Sequence, residues 1–424
     1  METMRAQMIK SEIVTRGMRS LMMLAASASF CLAAAAQNYT FTEWATPSLS
    51  SQPLHIAVVS NTQFYFTESS KNRIGGVNLA TSQNGANPVT EWPLPAGSMP
   101  HSIVLDANGN LAFCAYGGNF VGVLTPTVAP KPPNSPFTYY VLPAAGSGPI
   151  HLDTELDGVG SPEYFLSEAI ANKIALLDPA MGTFTEWSVP TASSTPRGVS
   201  IGAGTQVFFA ELATHKIGML DTSTNIITEW TIPSVRQVEH LHYVNGLVYF
   251  GDLATSVVGI LNPNATTNNV TEWTVPTLAA DIPDVYVVGT TFYFSERASG
   301  KIGFLDPSQQ AGTLKTAKQA QTVATPVVSP ATPTPATLNH KTTYVTPTVT
   351  NVAGVVTGGF TEWTIPSTEP GPLGILGQGS ANPIFFAEYF GARVAMLAPQ
   401  SSNAPSLTAS SYAEHSAQQE TTGK

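Results

Sequence analysis

Seven copies of one short sequence phrase, and the near-constant spacing between them, predict an all-β fold, a seven-bladed β-propeller. Six copies read Phe, Ile or Val followed by Thr-Glu-Trp, the third copy is a degenerate Phe-Thr-Tyr-Tyr, and each runs on to a proline. The first six copies begin 43–48 residues apart, the period of a propeller blade. All six tryptophans of the chain lie in these phrases. The copies begin at Phe41, Val89, Phe137, Phe184, Ile227, Val270 and Phe360.

Each period contains four strand-like runs of alternating apolar and polar residues, separated by turn residues. We designate them A, the innermost, to D, the outermost. In the fourth period they are Gly198–Ile201, Val207–Ala210, Lys216–Leu220 and Ile227–Ile232. The chain begins with a D strand (Phe41–Trp44) and ends with A, B and C strands (Leu373–Leu397). We therefore expect the N-terminal D strand to complete the C-terminal blade and close the ring, so that residues 37–398 form one domain.

The gap before the last phrase is double length because residues 311–359 are rich in Thr, Pro, Ala and Val. This composition buries little apolar surface, so the sequence predicts an extended, poorly ordered insertion in the C–D turn of the sixth blade. Residues 399–424 are predicted to form a flexible polar tail.

Residues 1–36 have the three parts of a secretory signal: basic residues, an uncharged stretch (Leu21–Ala36) and a small-residue end. We expect cleavage after Ala36 and a secreted or periplasmic protein without membrane insertion, the alternative being an uncleaved anchor. The mature chain would carry 14 basic and 26 acidic residues, which argues against nucleic acid as a partner. Cys31 would be lost with the signal, leaving Cys114 alone and no internal disulfide. We expect a monomer.

Positions that are constant among the repeats are expected to be structural, whereas positions that vary are free to serve a ligand. An acid ends nearly every B strand: Glu68, Glu168, Glu211, Asp252, Glu296 and Glu388, with Ala115 in the second blade. We expect most of these acids to accept hydrogen bonds from backbone N–H groups or from a basic side chain such as Arg73 or Lys173. The glutamates of the Thr-Glu-Trp phrases are expected to be structural too.

The start of strand A varies between blades and carries histidines. From the first blade to the seventh, the position before the first apolar residue holds His55, Ser102, His151, Gly198, His240, Asp284 and Gly374. The preceding position holds Leu54, His101, Ile150, Arg197, Glu239, Pro283 and Leu373, and His242 follows two residues after His240. Because strand A lines the channel of a propeller, these polar side chains should gather at one mouth. Such a set can hold a divalent metal, supply a general base, or simply line a water-filled channel.

The phrase Phe/Ile-Thr-Glu-Trp-Thr-Ile-Pro, the B strand Phe208–Glu211 and the C strand Lys216–Asp221 together resemble the streptogramin B (virginiamycin B) lyase family. The resemblance implies a seven-bladed propeller that opens a cyclic depsipeptide by elimination across its ester, using a histidine, acidic residues and a divalent cation, Mg²⁺. In the family, the histidine occupies the earlier of the two strand-A positions and a glutamate ends strand B of the same blade. In this chain, blade two has His101 at the earlier strand-A position, but its strand B ends in Ala115. Blade four has Glu211 at the end of strand B, but its earlier strand-A position holds Arg197.

Three functions stay open at this point. The first is binding of a small molecule or peptide at the histidine-lined mouth with metal-assisted elimination, and the second is non-catalytic binding of a protein, peptide or glycan. The third, lactone hydrolysis, would need a metal held by carboxylates such as Asp284 and Glu239. For the first, we assign His101, His240 and Glu239 as catalytic, Glu211 and Glu296 as metal ligands, and His55, His151, Arg197, Asp284 and His242 as substrate-binding residues.

Overall fold

The computed structural model describes residues 38–126, 134–157, 159–377 and 383–399. The predicted signal segment and the predicted tail, apart from Pro399, lie outside them. Strand β1 is Asn38–Ala45. Blade one has β2 (Pro53–Ser60), β3 (Gln63–Glu68), β4 (Arg73–Asn78) and β5 (Asn87–Pro93); blade two has β6 (Pro100–Leu105), β7 (Leu111–Ala115), β8 (Phe120–Leu124) and β9 (Asn134–Val141); blade three has β10 (Pro149–Leu156), β11 (Pro162–Glu168), β12 (Lys173–Asp178) and β13 (Thr183–Ser188).

The remaining blades repeat the same antiparallel order. Blade four has β14 (Pro196–Ile201), β15 (Gln206–Glu211), β16 (Lys216–Asp221) and β17 (Ile226–Thr231); blade five has β18 (Leu241–Val244), β19 (Leu247–Gly251), β20 (Val257–Leu261) and β21 (Val270–Thr274); blade six has β22 (Val285–Val288), β23 (Thr291–Glu296), β24 (Lys301–Leu305) and, further along the chain, β32 (Phe360–Thr364); blade seven has β33 (Pro372–Gly377), β34 (Ile384–Glu388) and β35 (Arg393–Pro399). A single turn of 3₁₀-helix covers Ser69–Lys71. No helix in the described part of the chain is long and apolar enough to cross a bilayer.

The ring closes as the sequence predicts. Strand β1 pairs antiparallel with β35, so the N-terminal strand becomes the D strand of blade seven. The innermost strands of successive blades contact one another around the whole ring. The fold prediction of a seven-bladed propeller is therefore confirmed.

The predicted four strands per blade and the poorly ordered insertion are both wrong, since each sheet has five strands. The insertion forms seven short strands, which we call the belt: β25 (Thr313–Lys315), β26 (Lys318–Val323), β27 (Val327–Pro330), β28 (Pro333–Asn339), β29 (Lys341–Val345), β30 (Thr348–Ala353) and β31 (Val355–Thr357). In chain order they pair with the D strands of blades five, four, three, two, one, seven and six. The belt thus makes one full turn around the propeller, against the order of the blades.

The belt buries single small or apolar residues between the blades, and most of its other side chains are exposed. Ala317, Ala324, Ala331 and Leu338 are buried, each in the core of a different blade interface. They are seven residues apart, so one heptad advances the chain by one blade. The strands otherwise use the D-strand edges, whose backbone groups would be unpaired without them.

The contacts of the residues that recur among the blades explain why those residues recur. Several tryptophans of the phrases bond to a neighbouring element: the Trp187 indole donates to Asn225 Oδ1 at 2.8 Å and the Trp44 indole donates to Asn87 Oδ1 at 3.1 Å. Strand C carries a glycine where strand B carries a phenylalanine: a Cβ on Gly218 would lie 2.1 Å from the ring of Phe209. The tryptophans thus link neighbouring elements, and the phenylalanines fill the space above the strand-C glycines.

In five blades the glutamate at the end of strand B is buried beside the glutamate of the phrase, whereas Asp252 of blade five accepts hydrogen bonds from the backbone N–H groups of Arg236 and Gln237. Glu211 accepts a hydrogen bond from Thr214 at 2.8 Å and lies beside Glu229, to which Lys216 donates at 3.2 Å. The expectation that Arg73 and Lys173 serve the B-strand acids is therefore wrong in detail, because both cations pair with the phrase glutamate. The phrase glutamate offers them a carboxylate on the adjacent D strand.

Candidate functional site

Irregular pairing at the start of strand A aims the candidate side chains into the channel. In blades one to four and in blade seven, the register between strands A and B shifts after the first residue of strand A. The residues within this β-bulge include His55, His101, His151 and Arg197. A bulge leaves a residue unpaired and turns its side chain away from the regular alternation. Backbone atoms freed there are bonded by B-strand hydroxyls: the Thr67 hydroxyl donates to the His101 carbonyl at 2.7 Å and accepts from the His55 N–H at 3.2 Å.

The histidines predicted to gather at one mouth do so. His55, His101 and His151 lie with ring centroids 4.7–5.1 Å apart, and each of the three contributes a ligand atom within 4.8 Å of the others. We call these three residues the histidine triad. His240 adjoins it, with its ring centroid 4.8 Å from that of His151.

The triad is half-buried to buried, and some of its nitrogens have no hydrogen-bond partner among the described residues. His151 is 0% exposed, and neither of its ring nitrogens has a hydrogen-bond partner among the described residues. Burial, together with the charge of His240, lowers the pKa of His55 to about 4. Burial also holds the pKa values of His101 and His151 well below the ordinary range. The three imidazoles are therefore neutral at pH 7.

A second group surrounds Asp284. His240 Nδ1 lies 2.7 Å from Asp284 Oδ1, and His242 Nε2 lies 3.5 Å from the same oxygen. The backbone N–H groups of Val285 and Ile375 donate to the two carboxylate oxygens, at 2.8 and 2.9 Å. Burial opposes charge here, but His240 and His242 outweigh it and hold the pKa of Asp284 well below its usual value. Asp284 in turn overcomes the burial of His240 and raises its pKa.

These bonds fix the orientation of His240. An ionised carboxylate only accepts hydrogen bonds, so Nδ1 of His240 must carry the proton that it donates. Its Nε2 is left as the nitrogen free of Asp284, as in a histidine oriented by an aspartate in a catalytic triad.

A cavity of about 360 Å³ opens at this mouth, within the range of small-molecule sites. Of the predicted site residues, His55, His101, Arg197, Glu239 and Asp284 line it, whereas His151, His240 and His242 lie behind these lining residues. Arg197 Nη1 lies 3.9 Å from Glu239 Oε1, so the carboxylate partly neutralises a cation that faces the cavity. The other lining residues are Gln52, Leu54, Ser69, Met99, Tyr116, Ile150, Pro283, Arg297, Leu373, Gly374 and Tyr389.

Sequence reasoning missed four lining residues that share one position in the repeat. Ser69, Tyr116, Arg297 and Tyr389 each come directly after the last residue of strand B. The residue at that position differs between blades, as it does at the start of strand A. This variation could have identified the position as part of the site from the sequence alone. Arg297 is held by Asp281, with its Nε 2.7 Å from Asp281 Oδ2.

The two glutamates predicted as metal ligands lie elsewhere. Glu211 and Glu296 are fully buried beside Glu229 and Glu362, and neither lines the cavity. Each accepts a hydrogen bond at 2.8 Å, from Thr214 and from Ser299. These contacts give both residues a structural role.

The mouth does not fit a magnesium ion. Mg²⁺ binds oxygen ligands in octahedral geometry, whereas the residues brought together here offer imidazole nitrogens. Of the two carboxylates that line the cavity, Asp284 already accepts bonds on both oxygens, and Glu239 is paired with Arg197. The chemistry of the mouth must therefore be derived without Mg²⁺.

Comparisons with known proteins agree with the fold. A sequence model of the virginiamycin B lyase family matches residues 11–291. The crystal structure of selenomethionine-substituted virginiamycin B lyase from Staphylococcus aureus superimposes with a TM-score of 0.63 at 19% identity, covering 85% of this chain and 99% of that chain. A streptogramin B lyase structure gives 0.63 at 18% identity, covering 85% and 97%.

A catalytically inactive histidine-to-alanine variant of the S. aureus enzyme, solved with quinupristin, gives a TM-score of 0.63 at 19% identity over 85% and 99% of the two chains. No curated protein sequence matches the chain. The match to the family model extends over more than half of the 424 residues. The chain therefore belongs to the virginiamycin B lyase family.

Proposed function

We propose that this chain binds a small molecule with an ester or lactone group in the cavity at the channel mouth and opens it by elimination. The observation that carries the proposal is the 2.7 Å pair of His240 and Asp284 beside that cavity. Membership in a family whose solved relatives are lyases supports elimination as the reaction class.

His240 is the base in this reaction. Its Nε2 takes a proton from the carbon next to the one that bears the ester oxygen. The C–H electron pair forms the carbon–carbon double bond, the C–O bond breaks, and the carboxylate leaves with the bonding electrons. Asp284 stabilises the imidazolium that forms, which is the usual effect of a buried carboxylate on a catalytic histidine.

The cations of the mouth receive the leaving carboxylate. Arg197 and Arg297 both line the cavity, and each is positioned by an acid, Glu239 and Asp281 respectively. Guanidinium groups bind carboxylates through two parallel hydrogen bonds. Leu54, Ile150 and Leu373 supply apolar walls for the rest of the ligand.

The mass of the product tests the reaction class. The purified chain is incubated with cyclic depsipeptides and simple lactones, and the products are separated and weighed. Elimination opens the ring with no change in mass and creates a double bond, whereas hydrolysis adds the mass of one water. Ligand-induced thermal stabilisation without turnover would contradict catalysis and favour the non-catalytic reading.

We also propose that the protein acts outside the cytoplasm, because residues 1–36 have the composition of a secretory signal. Expression in a host with a secretion pathway should yield a chain that begins at residue 37. Intact-mass measurement of cell-associated and exported protein checks this expectation, and a full-length chain retained inside the cell would contradict it.

A further inference from the structure

We propose that the histidine triad, His55, His101 and His151, is a binding site for a divalent transition-metal ion of the zinc type. The proposal does not depend on elimination, and its test reads metal binding alone. It rests on the geometry of three side chains and on the absence, within the described residues, of protein partners for both nitrogens of His151 and for Nδ1 of His101.

The triad has the ligand count and spacing that such an ion needs. One ligand atom from each ring lies within 4.8 Å of the others. Zn–N bonds of about 2.0–2.1 Å in tetrahedral geometry place the nitrogens about 3.3 Å apart, so modest ring rotations bring them into place. Three histidines with the fourth position open is a known catalytic zinc arrangement.

The bonding of the rings points to a missing ligand. Among the residues that the structure describes, neither nitrogen of the fully buried His151 has a hydrogen-bond partner, and Nδ1 of His101 has none. Leaving a buried polar group without a partner costs about 1–3 kcal/mol, and groups of this kind need an explanation such as a bound ion. In the third ring, Nδ1 of His55 lies 3.3 Å from the His101 carbonyl. Donation to that carbonyl fixes the tautomer that leaves Nε2 for the metal, as outer hydrogen bonds do for metal-binding histidines.

The charges beside the triad permit a cation. Arg197 is paired with Glu239, and His240 is paired with Asp284. Two carboxylates thus offset the two positive groups that adjoin the site. The competing group, His240, His242 and Asp284, is already held together by the contacts to Asp284, so the ion belongs to the triad.

The site also has access to ligand. His55 and His101 line the 360 Å³ cavity, while His151 lies behind them. An ion held by three nitrogens would therefore present its open position to the cavity, where a carbonyl or carboxylate oxygen of a bound molecule can reach it. Imidazole nitrogens suit Zn²⁺, Ni²⁺ and Cu²⁺ and disfavour Mg²⁺.

The test is calorimetric titration of the metal-free chain with Zn²⁺, and with Mg²⁺ in parallel. We expect one Zn²⁺ per chain, no Mg²⁺ binding, and a Zn²⁺-dependent rise in the melting temperature. The variants His151→Ala and His101→Ala should each weaken Zn²⁺ binding about 100-fold or more, since even outer-shell partners change affinity 10–100-fold. His101→Ala is the second variant because His101 is less buried than His151, so at least one of the two should fold.

Matched histidine controls lie outside the mouth. His215, in the turn before β16, and His340, in the belt, are both only partly buried. His215→Ala and His340→Ala should bind Zn²⁺ as the parent chain does. The proposal is overturned if the parent chain binds no Zn²⁺ stoichiometrically, if binding survives both triad variants, or if a control variant abolishes it.

Discussion

The molecule buries two sets of ionisable side chains, and they differ in the groups that surround them. At the outer ends of the blades, acids such as Glu211 lie beside a phrase glutamate, with a hydroxyl and a lysine in contact. At the channel mouth, His151 is as deeply buried, but its neighbours are the rings of other histidines, and neither of its nitrogens has a partner among the described residues. Burial is common to both sets, so burial does not distinguish a functional group from a structural one.

We call the B-strand acid, the phrase glutamate and the cation beside them the outer set. Its members are present or absent together from blade to blade, which indicates a structural role. Blade two lacks all three of its members at once: Ala115 replaces the acid, Phe120 the cation and Tyr139 the phrase glutamate. Blade five has Val257 where other blades have a cation, and Lys315 of the belt donates to Glu272 instead, at 2.5 Å. The mouth residues differ from blade to blade without such compensation, which is what a single ligand site in a repeated frame requires.

The largest effect should come from removing the base at the mouth. We expect His240→Ala to lower ester elimination by about 10²–10⁴-fold, the usual contribution of a general base. Steady-state kinetics on a substrate found by the mass assay measure this loss, with His215→Ala as the control. Equal turnover in both variants would remove His240 from the mechanism.

Breaking the outer set should cost stability instead. Lys216→Met leaves Glu229 buried without its cation, and loss of one partner from a buried pair costs up to 3–5 kcal/mol. Because Lys216 is partly exposed, we expect a loss of about 2–4 kcal/mol in the free energy of unfolding. Chemical denaturation measures it against Lys318→Met, an exposed lysine of the belt. A loss of the same size in both variants would show that the buried pair has no special role.

The outer set should also make stability fall as pH rises. Burial, followed by the charge of the neighbouring glutamate, raises the pKa of Glu68, Glu168 and Glu211 to about 8. A carboxyl with a raised pKa stabilises the fold fully below its unfolded pKa, and the contribution is lost as pH climbs to the folded value. Each such group contributes a slope of up to about 1.4 kcal/mol per pH unit.

In the window from about pH 6.5 to 8 these carboxyls titrate together with His240, whose raised pKa acts in the same direction, so a glutamate variant is needed to separate the two contributions. The lowered pKa values of the triad destabilise the fold only below the ordinary histidine value of about 6.5. We expect the melting temperature to fall across the window, and to fall less steeply in Glu211→Gln, which cannot ionise. A melting temperature that rises with pH there would refute the assigned protonation.

Much of this molecule could be predicted from the sequence, because the repeats record the blade frame. The period of the Thr-Glu-Trp phrase gave the number of blades, and the leading D strand gave the closure through β1 and β35. The level of His55, His101 and His151 followed from aligning the A strands. All three are consequences of repetition, which needs no knowledge of side-chain contacts.

The belt and the bonding of the mouth could not be predicted in the same way. The belt buries one residue at each of four blade interfaces, so Ala317, Ala324 and Ala331 recur every seven residues without the alternation that identifies strands. That heptad was visible in the sequence, but its composition resembled a disordered linker. Partners across the ring, such as Asp284 for His240, depend on how the bulges turn each side chain, which spacing does not record.

The measurement that tests the comparison most directly is the stability of His151→Leu in metal-free buffer. If the buried imidazole is kept for a ligand, replacing it by an apolar side chain removes an unsatisfied polar group, so the unfolding free energy should stay within about 1 kcal/mol of the parent chain or rise. The same variant should no longer be stabilised by Zn²⁺. A loss of more than about 2 kcal/mol without metal, of the size seen when structural contacts are broken, would place His151 with the outer glutamates and contradict the account.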